Sequence, residues 1–268
     1  MSNEKFTVAV AVNSQETLTN NLYRSPELLA GGNQILIKQN YKSASLAYNS
    51  ALDEAQNDVV IFVHQDIYFP EGWFADLRTS LSYLEREGRN WGVLGSFGSS
   101  RMVHGGVGRV YTTGLGLHGN RIDKPEPVDT LDEIVLVLRK SSGLRFDPDF
   151  PHFHLYGTDI CMSASLQGMT NYAIPGFCVH NTNQLLTLPP EFYDCYSHIK
   201  RKWRKYLPIY ASCATISLFE ADLYVKRIRE LTDKLIGNKR LAKRRVDDPR
   251  VVLENCGEQH QRQSTRKN

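Results

Sequence analysis

Two polar stretches that follow apolar segments carry residue types suited to metal and phosphate chemistry. His64-Gln65-Asp66 comes directly after the apolar run Val59–Val63, and His180 ends a second run, Tyr172–Val179. In open parallel sheets, ligands collect at the carboxyl ends of the strands, where a carboxylate can hold a divalent cation that bridges two phosphates. The alternatives are structural: Asp66 could cap the turn that leads to Pro70, and a lone histidine is more often structural than a ligand.

Acidic residues at further positions would complete such a site. Asp159 ends the stretch His154-Leu155-Tyr156-Gly157-Thr158-Asp159 at the predicted start of a helix, and Asp129, Asp132 and Glu133 precede or open the strand-like run EIVLVLR. The helix dipole also favours an acid in the first turn of a helix, and acids before a strand often form a solvated turn. Taken together, acidic or imidazole groups at the ends of successive strands predict a metal–phosphate site.

The elements that must position these residues alternate between strand and helix. The run VVIFV is apolar at every position, as expected for a central parallel strand buried on both faces. The alternation predicts an α/β fold, with a mostly parallel open sheet flanked by helices. The glycine-rich stretch Gly92–Gly119 is either a flexible active-site loop or a plain connection. Strands are predicted at Phe6–Val12, Gln34–Lys38, Val59–Val63, Trp91–Phe97, Glu133–Arg139 and Tyr172–Val179, and helices at Ser43–Ala55, Phe74–Glu87 and Gly157–Gln167.

The character of the chain changes after Pro189-Pro190. Glu191–Tyr206 and Ser217–Leu235 have helical spacing and carry many charges, and from Gly237 onward the chain is basic and polar with few apolar residues. We therefore expect a main domain over residues 1–188, a helical C-terminal extension over 189–236, and a basic, flexible tail over 237–268.

Charge and cysteine usage exclude several classes of protein. The net charge of +3 on 268 residues gives no overall attraction to polyanions, so nucleic acid is not an expected partner. Five cysteines, never spaced as CxxC, argue against a disulfide framework and a zinc knuckle, and fit a reducing compartment. Residues 1–5 do not resemble a signal peptide, and no apolar run approaches the roughly 20 residues that a membrane span needs. We expect a cytoplasmic protein, with peripheral contact at the inner face of a membrane through the basic C-terminal region as a further option.

Two parts of the sequence resemble inverting glycosyltransferases with the GT-A fold. Residues Asn40–Trp73, NYKSASLAYNSALDEAQNDVVIFVHQDIYFPEGW, look like their nucleotide-binding half, in which an Asn-containing helix precedes a hydrophobic strand that ends in a DxD-type motif. The sequence from Val128 to His180 looks closer still to one bacterial subgroup, the glycosyltransferase-like domain related to a streptomycin-biosynthesis protein. Its matching pieces are VDTLDEIVLVLRKSSGLRFDPDF, FHLYGTDICMSASLQGM and NYAIPGFCVHN. The resemblance covers roughly Phe6–Asn183 and implies that residues 1–188 form a GT-A-like catalytic domain.

The resemblance implies a role for each matching residue. Asp66 stands at the last Asp of DxD, a metal ligand, and His180 stands at a histidine that completes the metal shell. Asp159 stands at the acid that serves as catalytic base. His64 replaces the first Asp of DxD, which contacts the nucleotide or the metal. The implied cofactor is Mn²⁺ or Mg²⁺, and mixed oxygen and imidazole ligation suits Mn²⁺ somewhat better.

The implied reaction transfers a sugar from a nucleoside-diphosphate sugar to an acceptor hydroxyl, with inversion. A bound cation would stabilise the leaving diphosphate as a Lewis acid, and a base would take the proton of the acceptor. The acceptor could be a glycan, a lipid-linked molecule or a small molecule. Asp132 and Glu133 could orient that acceptor, and Asn13 and Asn49 are candidates for nucleotide contacts.

Two alternative functions stay open at this point. A nucleotidyltransferase usually has a glycine-rich signature with a basic residue after its first strand, where this chain has Asn13-Ser14-Gln15-Glu16. A catalytically silent sugar-nucleotide binder or scaffold would use the helical C-terminal region to dock a partner. Gly105-Gly106-Val107-Gly108 is not a phosphate loop, because it lacks the Lys-Ser/Thr ending and the strand-turn-helix context.

Overall fold

The computed structural model describes residues 5–30, 32–185, 187–219, 223–225, 228, 232 and 242–256. Across these ranges, no helix combines the length and the apolar character needed to cross a bilayer. The helices are α1 (Gln15–Asn20), α2 (Pro26–Ala30), α3 (Ala44–Glu54), α4 (Trp73–Arg86), α5 (Tyr156–Leu166), α6 (Pro190–Lys202) and α7 (Arg250–Cys256). The strands are β1 (Thr7–Val12), β2 (Gln34–Gln39), β3 (Val59–His64), β4 (Ile67–Tyr68), β5 (Trp91–Gly95), β6 (Phe97–Ser100), β7 (Val103–Gly108), β8 (Val110–Thr112), β9 (Gly116–His118), β10 (Glu126–Val128), β11 (Thr130–Leu131), β12 (Val135–Arg139), β13 (Thr170–Ala173), β14 (Cys178–His180), β15 (Ile209–Tyr210) and β16 (Thr215–Ile216).

The largest sheet has seven strands in the order β10-β13-β5-β12-β3-β1-β2. Strands β2, β1, β3, β5 and β13 run in one direction, and β12 and β10 run against them. The predicted α/β fold with a mostly parallel sheet is therefore confirmed, with two reversed strands that the alternation of elements did not predict.

Helices cover the large sheet on both faces. On one face, Val60 and Phe62 of β3 belong to a buried cluster with residues of α3, α5 and α6. On the other face, Ile61 and Val63 belong to a second cluster with residues of α1 and α4. This burial of both faces explains why the run VVIFV carries no polar residue.

The reversed strand β12 determines which side chains meet at the carboxyl end of β3. Val135, at the start of β12, pairs with Val63 near the end of β3. Because the two strands are antiparallel, the residues just before β12 lie at the edge where β3 ends. The His64 backbone N–H donates to the Ile134 carbonyl over 3.1 Å. Asp132 and Glu133 are therefore brought to the same edge as His64.

The single last strand predicted over Tyr172–Val179 is wrong, because this segment contributes to two sheets. β13 belongs to the large sheet, whereas β14 belongs to a four-stranded sheet in the order β4-β14-β8-β9. Pro175-Gly176 lies between them, and proline cannot donate to a strand ladder. β14 runs antiparallel to β4 with His180 opposite Ile67, which places His180 next to Asp66.

The glycine-rich stretch Gly92–Gly119 forms neither a single flexible loop nor a plain connection. It contains β5 to β9, and β6 and β7 form a three-stranded sheet with β11. Gly108 has φ of +88°, and a Cβ at this position would lie 2.2 Å from the carbonyl oxygen of Ser96. Only glycine fits this close approach between backbones. The stretch therefore has regular β-structure and lies beside the edge where β3 ends.

The C-terminal segments pack against the main core where the structure describes them. Phe192 and Tyr196 of α6 are buried in the same cluster as α3 and α5. The division into domains at 188 and 236 stays a prediction, and most of the helix predicted over Ser217–Leu235 lies outside the described residues.

The flexible tail predicted over 237–268 is wrong for residues 242–256. Val252 and Leu253 of α7 are buried in a small cluster with Tyr68 and other residues of the four-stranded sheet region. The Val246 N–H donates to Asn181 Oδ1 over 2.8 Å. The low apolar content of this stretch does not predict its packing, which combines two buried apolar side chains with hydrogen bonds to Asn181 and Gln184. Residues 257–268 lie outside the described part of the chain.

Candidate active site

A cluster of His64, Asp66 and His180 lies at the end of β3. Each side chain offers one ligand atom, and these atoms all lie within 4.8 Å of one another. His180 Nε2 is 3.4 Å from Asp66 Oδ1, and the two imidazole rings are 5.8 Å apart between centroids. The carbonyl oxygen of Asp66 also accepts the Asn181 N–H over 2.9 Å, which holds the two chain segments together. One carboxylate and two imidazoles form a donor set that suits a divalent transition metal such as Mn²⁺.

Tyr156, the first residue of α5, is a hydrogen-bond partner of His64. Its hydroxyl donates to the carbonyl of Glu133 over 3.1 Å and lies 2.9 Å from His64 Nε2. A hydroxyl that donates to the Glu133 carbonyl can accept from His64, which corresponds to the tautomer with the proton on Nε2. The lone pair of His64 is then on Nδ1, which is the nitrogen available to a metal.

Burial and mutual attraction determine the charges of the cluster. Burial lowers the pKa of His64 to about 4, so this imidazole is neutral at pH 7. Burial by itself would raise the pKa of Asp66, but the charge of His180 and a hydrogen bond from it hold that pKa well below its usual range. Burial lowers the pKa of His180, yet the attraction of Asp66 outweighs this effect and the net shift is upward. The carboxylate is therefore ionised and one imidazole is neutral, the forms in which these groups bind metals.

Two further acids, Asp132 and Glu133, lie at the same edge. Burial and the nearby charge of Asp132 raise the pKa of Glu133 to about 8. Glu133 Oε1 accepts the Leu155 N–H over 2.8 Å, and Asp132 Oδ2 accepts the Ser212 hydroxyl over 2.5 Å. These acids are thus not the solvated turn that acids before a strand often form.

The cluster and both acids line one cavity of about 770 Å³. Its walls come from the β6–β7 hairpin, the turn between β8 and β9, the segment after β14, and residues 210–213. His154 also lines the cavity, and burial lowers the pKa of its imidazole.

Asp159 does not line this cavity, and its predicted role as catalytic base does not fit its surroundings. It is buried in the first turn of α5, where its carboxylate accepts the Trp203 Nε1–H over 2.7 Å and the Lys202 ammonium over 2.9 Å. Lys202 also donates to Asp147 over 2.7 Å. The carboxylate therefore connects α5 to the end of α6, and we assign it a structural role.

The two asparagines predicted to contact a nucleotide also lie outside the residues that line the cavity. The amide group of Asn49 both donates to and accepts from the backbone of Phe146, over 2.8 and 3.0 Å. The Asn13 side chain accepts a hydrogen bond from the Gln65 amide, and Gln65 Oε1 accepts the Asn13 N–H over 3.1 Å. Asn49 thus holds a loop in place, and Asn13 supports the turn between His64 and Asp66.

Sequence reasoning missed Tyr156 and undervalued Glu133. Tyr156 lies within FHLYGTD, the stretch that drew attention to Asp159, and a tyrosine at the start of a helix gives no chemical signal by itself. Glu133 would have needed the direction of β12, since only the reversed strand buries it beside His64.

Comparison with known proteins identifies the class to which this fold and site belong. The chain is a member of the glycosyltransferase-like family, whose model matches residues 20–187. This match confirms the predicted family and class of protein, while the streptomycin-related subgroup stays a prediction. A protein of Fuscovulum blasticum, named ATP synthase subunits region ORF 6, is 28% identical over 170 residues, which are 60% of this chain and 66% of that protein. The chain thus spans just under two thirds of that relative.

Solved structures match parts of the chain at low sequence identity. A197 from STIV has a TM-score of 0.40 at 13% identity, with 63% of this chain and 81% of that chain covered. TarS of S. aureus has a TM-score of 0.47 at 15% identity, with 74% of this chain and 38% of that chain covered. TarS 1-349 in complex with UDP-GlcNAc has a TM-score of 0.44 at 14% identity, with 74% of this chain and 66% of that chain covered.

Proposed function

We propose that this protein transfers a sugar from a nucleoside-diphosphate sugar to an acceptor hydroxyl. The observation that carries the proposal is the cluster of His64, Asp66 and His180 on the wall of a cavity of about 770 Å³, in a member of the glycosyltransferase-like family. Ligand pockets typically measure about 300–1,000 Å³, so the cavity is large enough for a donor of this class.

A divalent cation, Mn²⁺ or Mg²⁺, is part of the proposal. Asp66, His180 and Nδ1 of His64 would hold it, and the ionised carboxylate and neutral His64 support this assignment. When bound, the cation supplies Lewis-acid stabilisation of the charge on the departing diphosphate.

We assign the base role to Glu133 in place of Asp159. Glu133 lines the same cavity as the cluster, and because burial raises its pKa to about 8, its ionised form is a stronger proton acceptor than an ordinary carboxylate. Its carboxylate would take the proton from the acceptor hydroxyl as that oxygen bonds to the anomeric carbon. The bond between this carbon and the diphosphate oxygen breaks on the opposite side, so the product is inverted. Asp132, held by Ser212, would orient the acceptor.

Calorimetry with uridine and guanosine diphosphates, with and without Mn²⁺, tests the donor site. Asp66→Asn keeps the shape of the side chain but removes its charge, and we expect metal-dependent nucleotide affinity to fall at least about tenfold. Asp123→Asn is the control, because Asp123 is an acid 94% exposed outside the cavity. If Asp66→Asn binds Mn²⁺ and nucleotide as wild type does, the metal assignment is wrong.

A hydrolysis assay separates a transferase from a silent binder. Transferases release sugar slowly to water when no acceptor is present, so incubation with sugar nucleotides should release nucleoside diphosphate. This release should require Mn²⁺ or Mg²⁺ and should be lost in Asp66→Asn. Tight donor binding without any release would favour the binding or scaffold alternative.

A further inference from the structure

The mouth of the cavity is lined by apolar side chains that are exposed to solvent. Leu115 is 70% exposed and Leu185 is 65% exposed, and Val103 and Phe153 are each 39% exposed, although all four line the cavity. They come from four separate segments of the chain: the start of β7, the turn between β8 and β9, the segment before α5 and the segment after β14. Exposed apolar side chains grouped in this way mark an interaction site more often than a free surface.

A segment that carries exposed cations pairs with Gln184, the residue before Leu185. A Cβ on Gly114 would lie 2.4 Å from the Gln184 side chain, so the turn that carries Leu115 packs on the residue before Leu185. Gln184 is paired in turn with Lys243 by two hydrogen bonds, Gln184 N–H to the Lys243 carbonyl over 2.9 Å and Lys243 N–H to Gln184 Oε1 over 3.0 Å.

Lys243 and its neighbour Arg244 are exposed, whereas the Arg245 guanidinium donates to the Thr17 hydroxyl. The contact of Arg245 with Thr17 holds residues 243–245 against the helix α1, and the charges of Lys243 and Arg244 face solvent. We name Val103, Leu115, Phe153, Leu185, Lys243 and Arg244 the mouth surface.

We infer that the mouth surface docks on an anionic lipid bilayer. Apolar side chains at the tips of turns can insert into the interfacial region of a bilayer, and neighbouring cations are attracted by anionic headgroups. Acceptors carried by the bilayer would then reach the cavity without leaving the lipid surface, a consequence that rests on the proposed function. The exposed cations Lys243 and Arg244 favour an anionic lipid surface over a protein partner, because lysine is depleted in protein interfaces.

Co-sedimentation with vesicles tests the inference directly. Vesicles of phosphatidylcholine with about 30% phosphatidylglycerol should bind the full chain, and pure phosphatidylcholine vesicles should bind it much less. Each cation near an anionic surface contributes about fivefold, so Lys243→Gln with Arg244→Gln should weaken binding by roughly 25-fold. Leu115→Ser with Leu185→Ser should weaken it by about tenfold or more.

Matched controls come from the far side of the molecule. Arg86 ends α4 and Arg89 precedes β5, which begins at the edge opposite to the end of β3. Arg86→Gln with Arg89→Gln removes the same charge there, and Leu166→Ser removes one exposed leucine outside the cavity wall. Both controls should bind vesicles as wild type does. Melting temperatures of all variants would show that each is folded.

The inference is overturned if wild type does not sediment with the anionic vesicles, or if both mouth-surface variants bind as well as the controls. Binding that is lost in the cation variant but unchanged in the leucine variant would also overturn it, because charge alone would then explain the attachment. Nucleotide affinity is measured separately, so failure of vesicle binding with nucleotide binding intact leaves the proposed function in place. Vesicle binding without nucleotide binding would support the docking surface and contradict the proposed transferase function.

Discussion

Replacing Asp159 distinguishes a structural residue from a catalytic base. Its carboxylate accepts hydrogen bonds from Trp203 Nε1 and Lys202, both at the end of α6. A structural role predicts that Asp159→Ala loses stability while the remaining folded protein keeps its turnover. A catalytic role predicts that Asp159→Asn loses about 10²-fold or more in turnover with donor affinity unchanged.

The size of the stability loss follows from the partners that remain. Asp159→Ala leaves the buried indole N–H of Trp203 without its acceptor, which costs about 1–3 kcal/mol. Lys202 is 29% exposed and keeps its contact with Asp147, so the lost ion pair adds only about 0–1 kcal/mol. A total near 2 kcal/mol lowers the melting temperature by roughly 4–8 °C in a domain of this size.

Asp159→Asn should be much milder. An asparagine oxygen can still accept the indole N–H, and burial raises the pKa of Asp159 even though Lys202 opposes that effect. The desolvation penalty of the buried carboxylate therefore exceeds the stabilisation from its ion pair with Lys202. We expect Asp159→Asn to change the free energy of unfolding by no more than about 1 kcal/mol.

A double-mutant cycle of Asp159 and Trp203, followed by thermal unfolding, measures how much their hydrogen bond contributes to stability. In a Trp203→Phe background the indole donor is absent, so Asp159→Ala should cost about 1 kcal/mol less than it does in wild type. Turnover and donor affinity are measured on the same samples. A loss of about 10²-fold in Asp159→Asn turnover at unchanged stability would refute the structural assignment and return Asp159 to the reaction.

The remaining predictions concern the acid, its tyrosine neighbour and the C-terminal segment. Glu133→Gln should reduce turnover about 10²-fold with donor affinity intact in calorimetry, and near-wild-type turnover would exclude it as the base. Since the pKa of Glu133 rises from 4.5 to about 8 on folding, its stabilising contribution is complete below 4.5 and lost as pH rises through about 8. The melting temperature of wild type should therefore fall more steeply over this window than that of Glu133→Gln, and parallel curves would contradict the shift. Tyr156→Phe should weaken Mn²⁺ affinity by about tenfold in calorimetry, because it removes the hydrogen-bond partner of His64, which we propose as a metal ligand, and equal affinities would exclude this role. Truncation after Ile236 removes the buried Val252 and Leu253, at about 1.5–3 kcal/mol for each side chain, and an unchanged melting temperature would show that α7 adds no stability.

Much of the sheet is predictable from sequence because its central strands are buried on both faces. β3 is recognised from five consecutive apolar residues, VVIFV, followed by a histidine. The direction of β12 is not predictable in the same way, since alternation of Leu and Val in VLVLR reads alike in either direction. The direction of β12 depends on its pairing with β3 and β5, whose residues lie far from it in the sequence.

The site residues, like the strands, divide into those that a local sequence pattern predicts and those whose partners lie far along the chain. Asp66 and His180 are predictable because each lies at the end of an apolar run, and the structure places His180 Nε2 3.4 Å from Asp66 Oδ1. Their binding of metal stays a prediction. From the sequence alone, Asp159 is an equally plausible site residue. Its carboxylate instead accepts hydrogen bonds from Lys202 and Trp203, which lie 43 and 44 residues later in the chain. Long-range hydrogen bonds of this kind leave no local pattern in a sequence.

The reversed strand β12 also determines when the sheet can assemble. Residues 5–100 contain β1, which pairs with both β2 and β3, but the neighbours of β5 are β12 and β13, both later in the chain. β12 joins the two halves of the sheet, so a chain that stops before residue 135 would leave β3 with an open edge and β5 without a partner. Such long-range pairing is slow and exposes unpaired strands meanwhile. Cooperative folding of this protein should therefore begin only once β12 is available, so the strand that completes the sheet also brings Asp132 and Glu133 to the site.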